Sequence, residues 1–427
     1  MSVKTRQVDF RELTKRESFT RDARHSLHSY PAKLLPNIPY FFLHSGILKD
    51  GGIVLDPFCG TGTVLLEASL SGRKTLGAEI NPLATMITEV KMAKLGAKQL
   101  QNAHLAIKGL IPKQHDFPLP TFPNIDHWFY PHVQEQLQRL LEAVEQLPNA
   151  ATRKFMLLCY SSTVRQVSLA DPRLSVPVRL RHDQYDAGHM FYEQTNKRLR
   201  KLKRINVFRV FDDTVIANIS RIAQSNFQGA SRFDGLANSI ATLPDYCKER
   251  NLLGKIDSVI TSPPYCGAQK YLRSTSLQLY WLGLVDKEKM GDLHAHSLGR
   301  EHYPKEEYSQ LMATKIPDAD SLLADIFEEN PLRAHIASHY LIEMFDSLKI
   351  IWKCLRNGGK LVLVMGNNTI CNREFRTSDF VTHMAKQIGF KMSLHFVDDI
   401  RSRGLMTARN KTASIINSEH VLVFQKI

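Results

Sequence analysis

The stretch Asp56-Pro57-Phe58-Cys59-Gly60-Thr61-Gly62-Thr63 decides how this chain folds. It follows the apolar run Ile53-Val54-Leu55 and leads into Val64-Leu65-Leu66, a pattern that predicts a strand, a glycine turn and a helix. Glycine tolerates positive φ and has no Cβ, so such a turn lets bare backbone approach a ligand. The next apolar run, 75–78, ends in Glu79, where a carboxylate can bind ribose hydroxyls as in nucleotide-binding βαβ units.

The glycine turn differs from a dinucleotide-binding fingerprint. It lacks the third glycine, and Asp56 precedes it, where a negative charge would repel a pyrophosphate. A ligand beside Asp56 should therefore be cationic or neutral. A lone Gly-x-Gly turn can also be an ordinary tight loop, so a second motif is needed to indicate a function.

That second motif is Thr261-Ser262-Pro263-Pro264-Tyr265, which follows the apolar run 256–260. Open α/β sheets bind ligands outside the carboxyl ends of their strands, so both motifs are expected to meet at one crevice. The pattern predicts an α/β fold with a Rossmann-like sheet.

The pair DPFCGTGT and TSPPY resembles the amino-group DNA methyltransferases, and SPPY in place of DPPY is most like their cytosine-N4-specific branch. The resemblance covers roughly residues 25–95, 230–282 and 335–427. It implies a class I methyltransferase sheet, S-adenosyl-L-methionine as cofactor and double-stranded DNA as substrate. It also implies a restriction-modification system, in which a cognate restriction endonuclease would be a partner.

The resemblance extends the expected cofactor site beyond the glycine turn. The stretch 24–34 by itself indicates a loop that ends at a helix, but in the family a similar His-x-Tyr-Pro-Ala-Lys stretch packs over the methionine end of the cofactor. Asp234 stands where similar enzymes place a residue near the adenine. The cofactor-binding residues expected are His28, Tyr30, Pro31, Lys33, Asp56, Pro57, Phe58, Gly60, Gly62, Thr63, Glu79, Asn81 and Asp234.

The second motif fits transfer to an exocyclic amine. The lone pair of such an amine is delocalised into the ring, so the site must hold the nitrogen in line with the methyl group. The Ser262 hydroxyl and the Pro263 carbonyl are candidate acceptors, and Pro264 has no N–H to compete with the amine. Tyr265 offers a face on which an extruded base can stack. These four residues, Ser262 to Tyr265, are the expected catalytic residues.

Other reactions remain to be weighed. A carbon-5 cytosine methyltransferase needs a nucleophilic cysteine, typically after a proline, and the chain has no Pro-Cys pair. An adenine-N6 enzyme stays open because adenine offers a similar amine and acceptor edge. Guanine-N2 RNA methyltransferases share a similar glycine turn, but their second motif resembles N/D-PPY and not the SPPY of this chain. A non-catalytic nucleic-acid binder would be expected to carry damaged motifs.

The charge of the chain indicates a polyanionic partner. The 427 residues carry a formal net charge of +14, and residues 151–209 hold 13 Lys or Arg against four acidic residues. This segment lies within 98–228, which is predicted to be mostly helical and to interrupt the sheet before Asp234. A basic run can also be a solvated helix face. The expected DNA-binding residues are Arg179, Arg181, Lys197, Arg198, Arg200, Lys201, Arg401, Arg403, Arg409 and Lys411.

The chain is therefore divided into a cofactor part (1–97), a helical basic insertion for target recognition (98–228) and a part with the TSPPY motif (229–427). The apolar spacing across 271–284 favours core packing, with a wall of the target pocket as the alternative. Six scattered cysteines without Cys-x-x-Cys spacing argue against a disulfide framework and a zinc site, and no metal is expected. The polar N-terminus and the lack of a long apolar run indicate a cytoplasmic protein.

Overall fold

The computed structural model describes residues 3–15, 19–31, 33–112, 120, 122–227, 229, 232–267, 271–400 and 416–427, and every structural statement below refers to these. The strands are β1 (Thr5–Val8), β2 (Ile53–Asp56), β3 (Lys74–Ala78), β4 (Phe233–Ala237), β5 (Ile256–Thr261), β6 (Leu355–Met365), β7 (Asn368–Ile370), β8 (Arg373–Phe375), β9 (Phe390–Asp399) and β10 (Ser418–Lys426).

Most of the helices lie in two long stretches, α4 to α10 between β3 and β4 and α12 to α15 between β5 and β6. The α-helices are α1 (Phe10–Lys15), α2 (Asn37–His44), α3 (Thr63–Leu70), α4 (Pro82–Met92), α5 (Ala97–Leu110), α6 (Ile125–Trp128), α7 (Pro131–Glu145), α8 (Ala150–Val167), α9 (Tyr192–Leu202), α10 (Val207–Gln224), α11 (Leu243–Glu249), α12 (Tyr271–Trp281), α13 (Lys287–Ala295), α14 (Pro317–Glu329), α15 (Pro331–Cys354) and α16 (Thr377–Ile388). Two short 3₁₀ helices span Ala23–Ser26 and Lys305–Tyr308.

Eight strands form one sheet in the order β1-β9-β10-β6-β5-β2-β3-β4. Strand β10 pairs antiparallel with both neighbours, and the other adjacent pairs are parallel. From β2 the chain runs outward to β3 and β4, then returns to place β5 on the other side of β2. The crevice between β2 and β5 is thus the topological switch point at which such sheets bind ligands. The predicted Rossmann-like α/β sheet is confirmed.

Both faces of the sheet are covered by helices. On one face, buried side chains of β5, β6 and β10 pack against α1, α2 and α3 in a core that includes Phe10, Phe42 and Val64. On the other face, the core includes residues of α11, α14, α15 and α16. Burial on both faces explains why the parallel strands read as continuous apolar runs in the sequence.

A separate helical core lies beside the sheet. It contains residues of α4, α5, α7, α8, α9, α10 and α12, with Trp281, Phe129 and Phe155 fully buried. Helices α5 to α10 lie between β3 and β4 in the chain, so the regular alternation stops there. Helix α4, which follows β3, and α12, which follows the TSPPY motif, belong to this core and join it to the crevice.

The apolar runs located most strands and helices of the sheet, including β2, β3, β5, β6, β9 and β10. The edge strand β1 was not predicted, because four residues with mostly exposed side chains give no apolar pattern. All six cysteines are buried, and none of them forms a disulfide bond. Of the described helices, none is both long and apolar enough to cross a membrane.

Candidate active site

The two motifs meet where β2 and β5 end side by side. The Thr261 hydroxyl donates a hydrogen bond of 2.6 Å to Oδ1 of Asp56, and both side chains are buried. The same Asp56 oxygen accepts the backbone N–H of Phe58 at 3.2 Å, which shapes the start of the glycine turn. Burial is the main reason that the pKa of Asp56 rises to about 7. A carboxylate in this position gains most from a nearby cation.

Glu79 lies on the neighbouring strand end and holds the glycine turn from the side. Its carboxylate accepts the backbone N–H of Gly60 at 2.9 Å and that of Asn81 at 2.7 Å. Burial raises the pKa of Glu79 to about 7, against the effect of these hydrogen bonds. Because a carboxylate has about four acceptor positions, Glu79 keeps acceptor capacity for ligand hydroxyls.

The two glycines of the turn have different roles. Both have positive φ, 50° at Gly60 and 71° at Gly62. A Cβ on Gly60 would meet no atom within 4 Å, whereas a Cβ on Gly62 would lie 2.7 Å from Cγ2 of Thr88 on α4. Gly60 therefore borders open space in the crevice. Gly62 was expected to contact the cofactor, but it allows close packing of the turn against α4 instead.

The N-terminal segment closes one end of the crevice. The Tyr30 hydroxyl accepts a hydrogen bond of 3.0 Å from the Asn81 amide, and the Tyr30 ring stacks on Tyr271. The ammonium of Lys33 donates to the carbonyls of His25 and His28, and burial lowers the pKa of Lys33 to about 8. The segment therefore places Tyr30 and Lys33 at the crevice, as expected.

His28 is a correction to the predicted site. It is buried and turned toward the helical core, where its Nε2 lies 2.9 Å from the Ser161 hydroxyl of α8. Burial lowers the pKa of His28 to about 3, so the ring is neutral. His28 and Pro31 do not border the crevice. Their part of the family-like stretch anchors the segment to the helices.

Asp234 is the second correction. It lies near the start of β4 and forms an ion pair of 2.8 Å with Lys74, the first residue of β3. Glu79 follows the opposite end of β3, so Asp234 lies at the wrong edge of the sheet to reach a ligand in the crevice. The residues that follow β4 and do line the crevice are Ser239, Ile240 and Ala241. The motif spacing located the strand correctly but chose the residue at its wrong end.

Buried charged groups brace the glycine turn from behind. The ammonium of Lys91 donates to the Thr61 carbonyl at 2.6 Å, and burial lowers its pKa. His25 Nε2 lies 2.6 Å from the carboxylate of Glu67, while the guanidinium of Arg24 donates to the carbonyls of Lys91 and Ala93. These residues, which the sequence did not single out, fix the turn in place.

The TSPPY residues divide between the crevice and the interior. Ser262 and Pro264 line the cavity, and Pro263 is buried beside it. Tyr265 is only 8% exposed, and its hydroxyl donates a hydrogen bond of 2.9 Å to Glu419 on β10. Burial, together with the neighbouring charge of Glu419, raises the pKa of Tyr265 well above its usual value. The expected open stacking face of Tyr265 is therefore covered in this structure.

The crevice contains a cavity of about 340 Å³. Its floor is the glycine turn and the ends of β3 and β5, and its far wall is formed by residues 297–302 and by α15. Nine of the expected cofactor residues line it: Tyr30, Lys33, Asp56, Pro57, Phe58, Gly60, Thr63, Glu79 and Asn81. Leu272 and Arg273 line it too, whereas Trp281 is core, so the stretch 271–284 contributes to both.

These features fit S-adenosyl-L-methionine. The open space at Gly60 accepts a ligand against bare backbone, Glu79 has acceptor capacity for ribose hydroxyls, and the buried Asp56 favours a positive charge.

Comparison with known proteins supports the same family. Residues 21–110, which contain the glycine turn and Glu79, match the model of the UPF0020 family, an RMKL-like methyltransferase domain. The Type II methyltransferase M.MvaI of Kocuria varians is 22% identical over 418 residues, which span 93% of this chain and 88% of that protein. The Type II methyltransferase M.AvaI of Anabaena variabilis is 24% identical over 370 residues, covering 79% and 73%.

The site and these similarities together indicate an S-adenosylmethionine-dependent DNA methyltransferase. Its cofactor is S-adenosyl-L-methionine. A shorter similarity links this methyltransferase to the tRNA (guanine(10)-N2)-dimethyltransferase of Methanocaldococcus jannaschii, 39% identical over 71 residues, which span 16% of the chain and 20% of that protein.

The predicted DNA-binding residues of the methyltransferase differ in their exposure and in the contacts that they make within the protein. Lys197, Arg200 and Lys201 on α9 are exposed and, in the described part of the chain, have no ion-pair partner. Their spacing of three and four residues places them on one helix face. Arg198 is partly buried and donates to the Gln166 carbonyl at 3.0 Å. A basic face therefore exists on α9, but Arg198 also serves the fold.

Two more of the expected DNA-binding residues lie in the loop before α9. Arg179 is partly buried and lies 3.2 Å from the ring of His127. Arg181 is exposed and has Asp183 3.7 Å away, also exposed. The remaining four, Arg401, Arg403, Arg409 and Lys411, lie outside the described residues.

Proposed function

We propose that this methyltransferase transfers a methyl group from S-adenosyl-L-methionine to the N4 amino group of cytosine in a specific site of duplex DNA. The observation that supports this most strongly is the hydrogen bond between Thr261 and Asp56. It fixes the strand that carries Ser262 against the strand that begins the cofactor turn. A target amine beside Ser262 would therefore lie next to the cofactor residues.

The cofactor supplies an electrophilic methyl group on a positively charged sulfur. In the transfer, the carbon–sulfur bond breaks as the nitrogen–carbon bond forms, the sulfur keeps the electron pair, and the nitrogen then loses a proton. The amine is a weak nucleophile, so the protein must hold it in line and favour its pyramidal form. We assign this role to the Ser262 hydroxyl and the Pro263 carbonyl, which accept hydrogen bonds from the amine hydrogens.

Asp56 and Glu79 hold the other substrate. The carboxylate of Asp56 favours the cationic end of the cofactor, and the free acceptor positions of Glu79 bind the ribose hydroxyls. Both carboxylates are fixed by hydrogen bonds before any ligand enters, so binding requires little reorganisation of the site. Tyr30 and Lys33 close the crevice at its N-terminal end.

The target base must leave the duplex to reach this site. A base within a stacked helix cannot approach a recessed cavity, so the enzyme extrudes it. Tyr265 is covered in this structure, and in the proposed complex its ring would become accessible when the base enters. Release from the buried Glu419 breaks the hydrogen bond of the Tyr265 hydroxyl and costs about 1–3 kcal/mol, the penalty for leaving a buried polar group unsatisfied.

Choice of cytosine rests on the sequence of the second motif. Ser262 stands where most adenine-amino enzymes carry Asp or Asn, and its hydroxyl can both donate and accept. Cytosine presents an amine donor beside a ring-nitrogen acceptor, which a hydroxyl can serve together. Adenine has a similar edge, so adenine-N6 methylation is the outcome that the experiment must separate.

DNA contact is assigned to the basic face of α9 and to Arg401, Arg403, Arg409 and Lys411, which lie outside the described residues. Phosphate contacts by lysine and arginine position a protein on the duplex without reading its sequence. The region 98–228 as a whole is proposed as the target-recognition part, between the two sheet-forming parts 1–97 and 229–427. The full-length similarity to Type II methyltransferases supports a place in a restriction-modification system, with a cognate endonuclease as partner.

Nucleoside mass spectrometry tests the proposal. Purified protein is incubated with methyl-labelled cofactor and with either genomic DNA lacking methylation or transfer RNA. The DNA is digested and the labelled nucleosides are identified. Labelled 4-methylcytosine in DNA is the expected product. Labelled 6-methyladenine alone would contradict the cytosine assignment, and label in transfer RNA alone would contradict DNA as substrate.

A further inference from the structure

The cavity lining includes basic side chains that the assigned chemistry does not use. His294 lies near the C-terminal end of α13, and His302 lies in the segment between α13 and the second 3₁₀ helix. Both line the cavity, as does Arg273 near the start of α12. Three basic groups from two separate segments therefore border the same space as Ser262.

These three side chains are free. Among the residues that the structure describes, Arg273, His294 and His302 have no side-chain hydrogen bond or ion pair. Arg300, which also lines the cavity, is occupied instead: it stacks on Tyr303 and forms an ion pair of 3.0 Å with Glu307. Arg273, His294 and His302 thus differ from Arg300, because their side chains have no such partner.

In the described part of the chain, the nearby acidic side chains form no ion pair with Arg273, His294 or His302. Glu343 accepts the backbone N–H of Gly299 at 3.1 Å and lies 3.2 Å from His339. Asp346 has an ion pair of 2.9 Å with Lys349, and Glu301 has an interaction of its own. Glu343 and Asp346 thus have partners other than the free set, which leaves the donors of Arg273, His294 and His302 available to a ligand.

The three side chains also lie close enough to interact electrostatically. Burial lowers the pKa of His294, and the neighbouring His302 and Arg273 lower it further. Arg273 supplies a positive charge for an anion, and the imidazole rings of His294 and His302 supply N–H donors. An anion that entered would be contacted from both segments.

We propose that Arg273, His294 and His302 form a phosphate-binding mouth that holds the backbone of the extruded target nucleotide. This inference rests on the proposed function, because it assumes that a nucleotide enters the cavity to reach Ser262. A flipped base carries its own phosphates to the entrance of the pocket, and those phosphates need partners there. The mouth supplies them from two segments, while the α9 face binds the flanking duplex.

The methionine carboxylate of the cofactor is the competing anion. With the ribose at Glu79 and the sulfonium at Asp56, as in the proposed function, it would lie at the other end of the crevice near Lys33, which also lines the cavity. The two anions can be separated by experiment, since only one of them belongs to DNA.

The test uses the full-length protein with Arg273, His294 and His302 changed to Gln together. DNA affinity is measured across a series of salt concentrations, and cofactor affinity is measured by calorimetry without DNA. We expect DNA affinity to fall by about tenfold or more and the slope of log affinity against log salt to decrease by about 1 to 3. Cofactor affinity should change less than about threefold.

The matched control is Lys391→Gln. Lys391 is exposed and lies at the start of β9, at the sheet edge opposite the crevice, so its removal should leave DNA affinity unchanged. If the triple variant does not fold, Arg273→Gln alone is used, because Arg273 is exposed and unpaired.

Unchanged DNA affinity and slope would overturn the mouth, and so would a fall in cofactor affinity that matches the fall in DNA affinity. These results differ from failure of the proposed function, which would show as absence of methyl transfer to DNA by the unchanged protein.

Discussion

The cofactor crevice and the basic face of α9 handle charge in opposite ways. In the crevice, Asp56 and Glu79 are held by hydrogen bonds from Thr261 and from backbone N–H groups. On α9, Lys197, Arg200 and Lys201 are exposed and have no ion-pair partner within the described residues. One region fixes its charges in advance, and the other leaves them free to move.

The difference follows from the ligands that each region must bind. A single small cation with a defined shape is best met by charges that do not move, because ordering them on binding would reduce affinity. A phosphate backbone offers a repeated charge at many registers, so mobile side chains can follow it and release counterions. The two regions should therefore respond differently to mutation and to salt.

The largest expected effect is on cofactor binding. Changing Asp56 to Asn and Glu79 to Gln together removes both carboxylate charges and should raise the cofactor dissociation constant about 100-fold, since a hydrogen bond to a charged group contributes about 1.5–3 kcal/mol. Calorimetry measures this directly. Asp257→Asn is the control: Asp257 pairs with Arg356 and binds the N–H of Ile53 at the other end of the sheet. Equal loss in the control would show that the effect is general destabilisation.

This prediction depends on residues that the sequence located well. Asp56 and Glu79 follow apolar strands directly, and in a parallel sheet such positions must gather at one edge. Residues placed by long-range packing were not accessible to the same reasoning. Gly62 and Gly60 look alike in sequence, and only the approach of Thr88 on α4 separates them.

The errors have the same origin. His28 was predicted from a family-like stretch and Asp234 from motif spacing. Neither gives the direction of a side chain or the end of a strand on which a residue lies. The mouth residues His294 and His302 carry no motif at all. His294 lies near the end of α13 and His302 lies between α13 and the second 3₁₀ helix, so tertiary packing and not a local pattern brings them to the crevice.

A smaller effect is expected on DNA affinity. Changing Lys197, Arg200 and Lys201 to Gln should lower the affinity for DNA of any sequence by about tenfold to thirtyfold and reduce the salt slope by about 2 to 3. Cofactor affinity should stay constant with salt, because its charges are buried. Changing Lys255, Lys353 and Lys391 to Gln removes the same charge from the opposite sheet edge. If the α9 changes leave the slope of log affinity against log salt unaffected, these basic residues form a solvated helix face and do not contact DNA.

The smallest effect concerns pH. Burial raises the pKa values of Asp56 and Glu79 to about 7, so both carboxyls become protonated as the pH falls through 7. The cationic cofactor favours the ionised form, and its affinity should fall up to about tenfold between pH 8 and pH 6. In Glu79→Gln, one titrating group is lost and the pH dependence should flatten. Affinity independent of pH would mean that both carboxylates stay ionised throughout.

The most direct test of the account is the rate of methyl transfer in a single turnover by Ser262→Ala. Enzyme saturated with labelled cofactor is mixed with excess duplex, and transfer is followed in time. The account predicts cofactor and DNA affinities within about threefold of the unchanged enzyme. It also predicts a transfer rate lower by about tenfold to 100-fold, because one acceptor for the amine is missing. A transfer rate equal to that of the unchanged enzyme would contradict the claim that the end of β5 performs the chemistry.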